Sequence, residues 1–145
     1  MKNTGEALTG TVSEGRGEAG DRIPVFTGGH QILIVDDQES IRDILSRMLS
    51  SAGFHVHSAG NGAEALRLFS QSCFALVLTD FHMPGMDGLT LAAKIRSLSP
   101  TTPVILMTGS DALPGSEKKR PVICILPKPF RWQDLTEAVE SALGG

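Results

Sequence analysis

The chain lacks the features that would direct a protein to a nucleic acid or a membrane. Its 13 Lys and Arg against 16 Asp and Glu leave a net charge of −3 over 145 residues, with a pI near 5.8. No basic excess is available for a phosphate backbone or an anionic lipid surface, so direct nucleic-acid binding is not expected. No apolar run approaches the roughly 20 residues that a membrane span requires. The polar N-terminus also lacks the basic-then-apolar order of a secretory signal, so a cytoplasmic protein without membrane contact is expected. Cysteine is scarce as well. Cys73 and Cys124 form no close-spaced ligand motif, and in a reducing compartment they read as small core residues and not as a disulfide.

What is present suffices for one domain with an ordinary core, since 41% of the residues are apolar. Residues 1–29 are rich in Gly, Thr, Ser, Glu and Arg without periodicity, a composition that cannot offset its ordering entropy. They are expected to form a disordered tail in which Ile23-Pro24-Val25-Phe26 is the only apolar patch, leaving a domain over 30–145.

Within that domain the hydrophobic pattern alternates between strand and helix. Gln31 to Val35, Ala75 to Leu78, Val104 to Met107 and Val122 to Leu126 are nearly all-apolar runs of strand length, as parallel strands buried on both faces require. Phe54 to Ser58 alternates instead, which suits an edge strand, and His55 and His57 on it read as surface histidines because no carboxylate or thiol partner lies nearby. Helical spacing appears in Ile41, Ile44, Leu45, Met48 and Leu49, with Gly53 as the stop. It recurs in Leu66 and Phe69 after the capping-box-like Asn61 to Glu64, in Leu91, Ile95 and Leu98, and in Leu135, Ala138, Val139, Ala142 and Leu143. Between Asp111 and Arg120 the Pro114-Gly115 pair and the basic Lys118-Lys119-Arg120 run predict a fourth crossover helix that is short, irregular or absent.

Strand and helix alternating in this way predict an α/β fold, a parallel sheet with helices on both faces. Such sheets place their sites beyond the carboxyl ends of the strands. The apolar strands end in Asp36-Asp37, Asp80, Thr108 and Lys128, so one edge gathers three carboxylates, a hydroxyl and an ammonium. Clustered carboxylates repel, and a divalent cation relieves the repulsion. An oxygen-only set with few protein donors favours Mg2+, which keeps several waters and accepts phosphate as a further ligand. Phosphoryl transfer to an aspartate follows from that chemistry, with the cation, the lysine and the hydroxyl stabilising the transferred oxygens.

Leu33-Ile34-Val35-Asp36-Asp37, Thr79-Asp80-x-x-Met83-Pro84-x-Met86-Asp87-Gly88, Thr108-Gly109 and Lys128-Pro129-Phe130 also resemble the receiver domain of bacterial two-component response regulators. The resemblance covers about residues 30–143 and implies a flavodoxin-like doubly wound five-stranded sheet in the order 2-1-3-4-5. It further implies Asp80 as phosphoacceptor, and Asp37, Asp80 and the backbone carbonyl of His82 as Mg2+ ligands, with Asp36 acting mainly through bound water. Thr108 and Lys128 would grip the phosphoryl oxygens, Met83, Pro84 and Gly88 would shape the loop, and the Lys128-Pro129 peptide would be cis.

The implied function is a phosphorylation-controlled signalling module and not an enzyme acting on other substrates. It would accept phosphate from a histidine kinase or phosphotransfer protein and, because no effector domain is read in the chain, either act on a downstream protein through protein–protein contact or relay the phosphoryl group onward; a receiver detached from a hybrid histidine kinase would look the same. His82 and Ser110 are expected to tune the phosphate lifetime. Ile125 stands where receivers usually carry an aromatic, which shifts the expected response to the 109–120 segment. The alternative is a haloacid dehalogenase-like magnesium-dependent phosphohydrolase, a family that wants a second acid two residues after the nucleophile. This chain has His82 there.

Overall fold

The computed structural model describes residues 30–109 and 124–144. Among them five parallel strands form one sheet: β1 (Gln31–Val35), β2 (His55–Ala59), β3 (Leu76–Asp80), β4 (Val104–Thr108) and β5 (Cys124–Pro127), in the order β2-β1-β3-β4-β5. The helices described are α1 (Glu39–Ser51), α2 (Gly62–Phe69), α3 (Gly88–Leu98) and α4 (Trp132–Ala142). The expected doubly wound architecture and strand order are both found. The segment 110–123, with Ser110, the predicted irregular helix and the start of the last strand, lies outside the described residues, as does the 1–29 tail.

Because side chains alternate across a strand, each central strand feeds two cores. Ile32 and Ile34 of β1 join Leu76, Leu78, Ile105 and Met107 under Leu45 and Leu49 of α1 and Leu135 and Val139 of α4. Leu33 and Val35 point the other way, with Val77 and Val104, onto Ala65 of α2 and Leu91 and Ile95 of α3. The division follows from handedness. The chain steps one way from β1 to β2 and then back through β3, β4 and β5, and right-handed crossovers therefore put α1 on the opposite face from α2 and α3. β3 and β4 are buried at every position, and truncating a core side chain of β4 such as Ile105 to Ala should cost about 2–5 kcal/mol.

Element ends follow the local chemistry. Gly53 stops α1 with φ of 105°, a left-handed value that glycine adopts without a side-chain penalty. Asn61 caps α2 by accepting from the Glu64 N–H at 2.8 Å. The return arm of the expected capping box is displaced: the Glu64 carboxylate accepts from Gly60 N–H at 3.0 Å, one residue before the cap. Two residues counted toward the apolar stripes face outward, Ile44 at 52% exposure and Leu98 at 63%. Ile44 lies about 100° around the helix from Leu45, off the stripe that meets the sheet, and Leu98 is the last residue of α3. The edge strand runs from His55 to Ala59 instead of starting at Phe54, whose buried side chain packs in the core beneath it.

Candidate functional site

The site is assembled by the register of the sheet. Val35 pairs with Thr79, Asp80 with Met107 and Thr108 with Pro127, so the residues that end or follow β1, β3, β4 and β5 converge at the same edge. Main-chain bonds extend that registration past the strands. Asp36 N–H donates to Ala59 O at 3.2 Å, Phe81 N–H to Met107 O at 2.8 Å, and Lys128 N–H to Thr108 O at 2.8 Å. The last bond ties the lysine-bearing turn to the threonine that ends β4.

Asp36, Asp37 and Asp80 each offer a carboxylate oxygen within 4.8 Å of the others, with Asp36 and Asp80 buried and Asp37 exposed. Lys128 Nζ lies 2.8 Å from Asp80 Oδ1 and 3.9 Å from Asp36 Oδ2. Asp36 Oδ1 accepts from Gln38 N–H at 2.9 Å, whereas its Oδ2 is buried with no hydrogen-bond partner. Burial is the main cause that raises the Asp36 pKa above 3.8, and the neighbouring Asp80 and Asp37 charges push the same way. The Gln38 N–H and the Lys128 ammonium act in the opposite direction. One ammonium shared between acids leaves negative charge uncompensated, and a buried carboxylate oxygen without a hydrogen-bond partner fits a nearby cation or the water such a cation carries. The donor set is all oxygen and open toward solvent at Asp37, which fits a hard divalent ion.

The loop after β3 is shaped by close packing. Gly88 N–H donates to Phe81 O at 2.8 Å, and a Cβ at Gly88 would collide with the Asp80 carbonyl oxygen, so the loop lies tight against the acid-bearing strand end. Asp87 caps α3 through the Thr90 N–H at 2.8 Å. Gly85 takes φ of 86° at the tip, and Met83 is buried in the core shared by α2 and α3. His82 has an exposed side chain whose ring meets Phe81 with centroids 4.6 Å apart. Thr108 is 3% exposed at the end of β4. The Lys128-Pro129 peptide is cis, as the resemblance implies.

One contributor was not foreseen from the sequence. Arg42, in the first turn of α1, donates from Nη1 to the main-chain oxygen of Asp36 at 2.6 Å. Its only sequence signal is a basic residue six positions after Asp36. His55 and His57 are exposed on the edge strand, and His57 Nε2 lies 2.9 Å from Gln31 Oε1, so they stand apart from the acidic cluster.

A doubly wound sheet whose strand ends carry an acid cluster, a threonine and a lysine defines a class of phosphoacceptor module. The chain belongs to the response regulator receiver domain family, whose model matches residues 32–140, and is the receiver domain of a two-component response regulator. That family comprises phosphoacceptor signalling domains and is not a family of catalytic enzymes. The response regulator receiver protein CpdR of Brucella abortus is 35% identical over 116 residues, covering 78% of this chain and 96% of CpdR. The DNA-binding transcriptional regulator NtrC of Escherichia coli is 38% identical over 114 residues, 77% of this chain but 24% of NtrC. The chain therefore spans about a quarter of NtrC, and NtrC's DNA binding is not carried over to it.

Among solved structures, the response regulator TrrA of Thermotoga maritima in complex with Mg(2+)-BeF superposes with a TM-score of 0.74 and 32% identity over 79% of this chain and 99% of TrrA. TrrA in complex with the histidine kinase ThkA superposes at 0.72. The phosphohydrolase alternative gains no support from any of these likenesses. Among the described residues, no helix is long and apolar enough to cross a membrane.

Proposed function

We propose that Asp80 accepts a phosphoryl group from a histidine kinase or a phosphotransfer protein, and that the modified domain signals by binding another protein. The observation that carries this reading is the convergence of Asp36, Asp37 and Asp80 oxygens within 4.8 Å, with the Lys128 ammonium 2.8 Å from Asp80. An Asp80 carboxylate oxygen attacks phosphorus, the bond from phosphorus to the donor atom breaks, and the donor leaves with that electron pair. Oδ1 is engaged by Lys128, which leaves Oδ2 as the attacking atom. Lys128 then compensates charge on the phosphoryl oxygens as a compact ammonium, and the Thr108 hydroxyl donates to one of them.

Asp36, Asp37, Asp80 and the backbone carbonyl of His82 would hold Mg2+ in this reading, Asp36 mainly through water. When bound, the ion neutralises carboxylate and phosphoryl charge together. The exposed His82 side chain, two residues after Asp80, limits or orients the water that later hydrolyses the acyl phosphate in this reading. The domain that performs this work is taken as residues 30–145. Supporting the kinase assignment are the family match and TrrA's complex with a histidine kinase.

The test is intact-mass measurement after incubation with acetyl phosphate and magnesium. A gain of one phosphoryl group that disappears in Asp80→Asn is expected. Persistence of the modification in that variant would overturn the assignment.

A further inference from the structure

The Asp37 carboxylate has no hydrogen bond or ion pair among the described residues, although it is the exposed member of the acid cluster. Its position is therefore set by the main chain that carries it. The peptide joining Asp36 to Asp37 is planar, so its carbonyl oxygen and the Asp37 Cα move as one unit. Arg42 Nη1 grips that oxygen at 2.6 Å, a charge-assisted bond at the short end of the usual range.

Arg42 is itself placed from two sides. Its own N–H donates to Gln38 O at 3.2 Å at the start of α1, and Gln38 N–H binds the Asp36 carboxylate. On the other side the guanidinium lies over Gly60, where a Cβ would come within 3.3 Å of Nη1, while Glu64 holds the Gly60 N–H. The guanidinium thus spans from the first turn of α1 to the turn between β2 and α2, with the Asp36–Asp37 peptide held beneath it.

We infer that Arg42 is a positioning residue, one that aims the Asp37 carboxylate at the cation by fixing the Asp36–Asp37 peptide plane. The inference rests on the reading of the acid cluster as a magnesium site and extends it to a residue that contributes no ligand atom. Loss of the grip frees one peptide to rotate and leaves the ligands chemically intact. The expected signature is weaker cation binding without a matching loss of fold.

The experiment is calorimetric titration of the full chain with magnesium chloride, accompanied by thermal unfolding in chelator. Arg42→Met should weaken magnesium affinity about tenfold, the lower end of what partners orienting metal ligands contribute. Its unfolding midpoint in chelator should stay within about 2 °C of the wild type, as for a partly exposed side chain making one bond. Arg42→Lys, which keeps one donor but not the planar fork, should recover to within about threefold of wild-type affinity. The deficit in acetyl phosphate labelling of Arg42→Met should shrink as magnesium is raised.

Wild-type affinity in Arg42→Met would overturn the inference, as would an affinity loss accompanied by an equal loss of stability in both variants. Should Arg42→Met fail to fold, a folded Arg42→Gln takes its place: wild-type magnesium affinity in that variant would remove any positioning role. A wild type that binds magnesium but takes no phosphate on Asp80 would sink the phosphoacceptor reading and leave the Arg42 result standing.

Discussion

At the end of β3, Asp80 faces an ammonium 2.8 Å away, whereas at the end of β1 the more deeply buried Asp36 has that same ammonium at 3.9 Å and an oxygen that no hydrogen bond reaches. The β3 end is held by packing, with Gly88 pressed onto the Asp80 carbonyl. The β1 end is held by polar contacts from Gln38 and Arg42. A single lysine cannot satisfy both acids. Under the proposed function the difference gives them different work: Asp80, charge-compensated at one oxygen, would keep the other free to react, while the charge left on Asp36 would favour a cation in the cluster.

The largest effect that could break this contrast comes from its packed side. Gly88→Ala places a Cβ against the Asp80 carbonyl oxygen and 2.7 Å from Leu106 Cδ1, so the strand end or the loop must move. A loss of about 2–3 kcal/mol is expected from such overpacking, read as the shift in urea denaturation with an unchanged slope. Gly88→Ala with wild-type stability would mean that the loop does not lie on β3 as described.

Lys128→Met comes next. It removes the cation from two buried acids, but the lysine side chain is 32% exposed, so solvent moderates the loss. A destabilisation of about 1–3 kcal/mol in chelator is expected at neutral pH, much of it reversed by magnesium. Equal losses with and without magnesium would show that the ion and the lysine do not share these charges.

The smallest effect has the opposite sign. Asp36 has a folded pKa raised above 3.8, so its contribution to stability is fully present below the unfolded value and is lost as pH rises through the folded one. Asp36→Asn removes that loss. In chelator the variant should be more stable than the wild type by on the order of 1 kcal/mol at pH 7, because the amide carries no charge to be desolvated or to repel Asp80 and Asp37. The gain should vanish below about pH 3.8 and reverse when magnesium is added. A variant less stable than the wild type at pH 7 in chelator would show that the Asp36 charge is already satisfied.

Those contrasts also mark what could be read from the chain alone. β1, β3 and β4 announce themselves as apolar runs because burial on both faces leaves little room for polar positions, and Asp36, Asp80 and Thr108 stand out within two residues of the ends of those runs. Gly53 and Gly88 were legible for a related reason, since each occupies a place that tolerates no side chain or demands a left-handed φ. Arg42 was not legible. A basic residue in a helix's first turn has many uses, and only the fold shows that the Asp36 carbonyl is within its reach. The displaced Glu64 arm was hidden similarly, because the motif names the pair and not which N–H the carboxylate meets. Ile44 and Leu98 were misread because apolar identity was taken for burial, where position around and along the helix decides it.

The central claim is that Asp80 is the reactive acid of a cluster that needs a divalent cation. Its most direct test is residue-level mapping of the acyl phosphate, trapped by borohydride reduction after exposure to acetyl phosphate with magnesium or with chelator. The account predicts modification at position 80 alone, and only with magnesium. Modification at any other residue, or labelling of Asp80 undiminished in chelator, would contradict it.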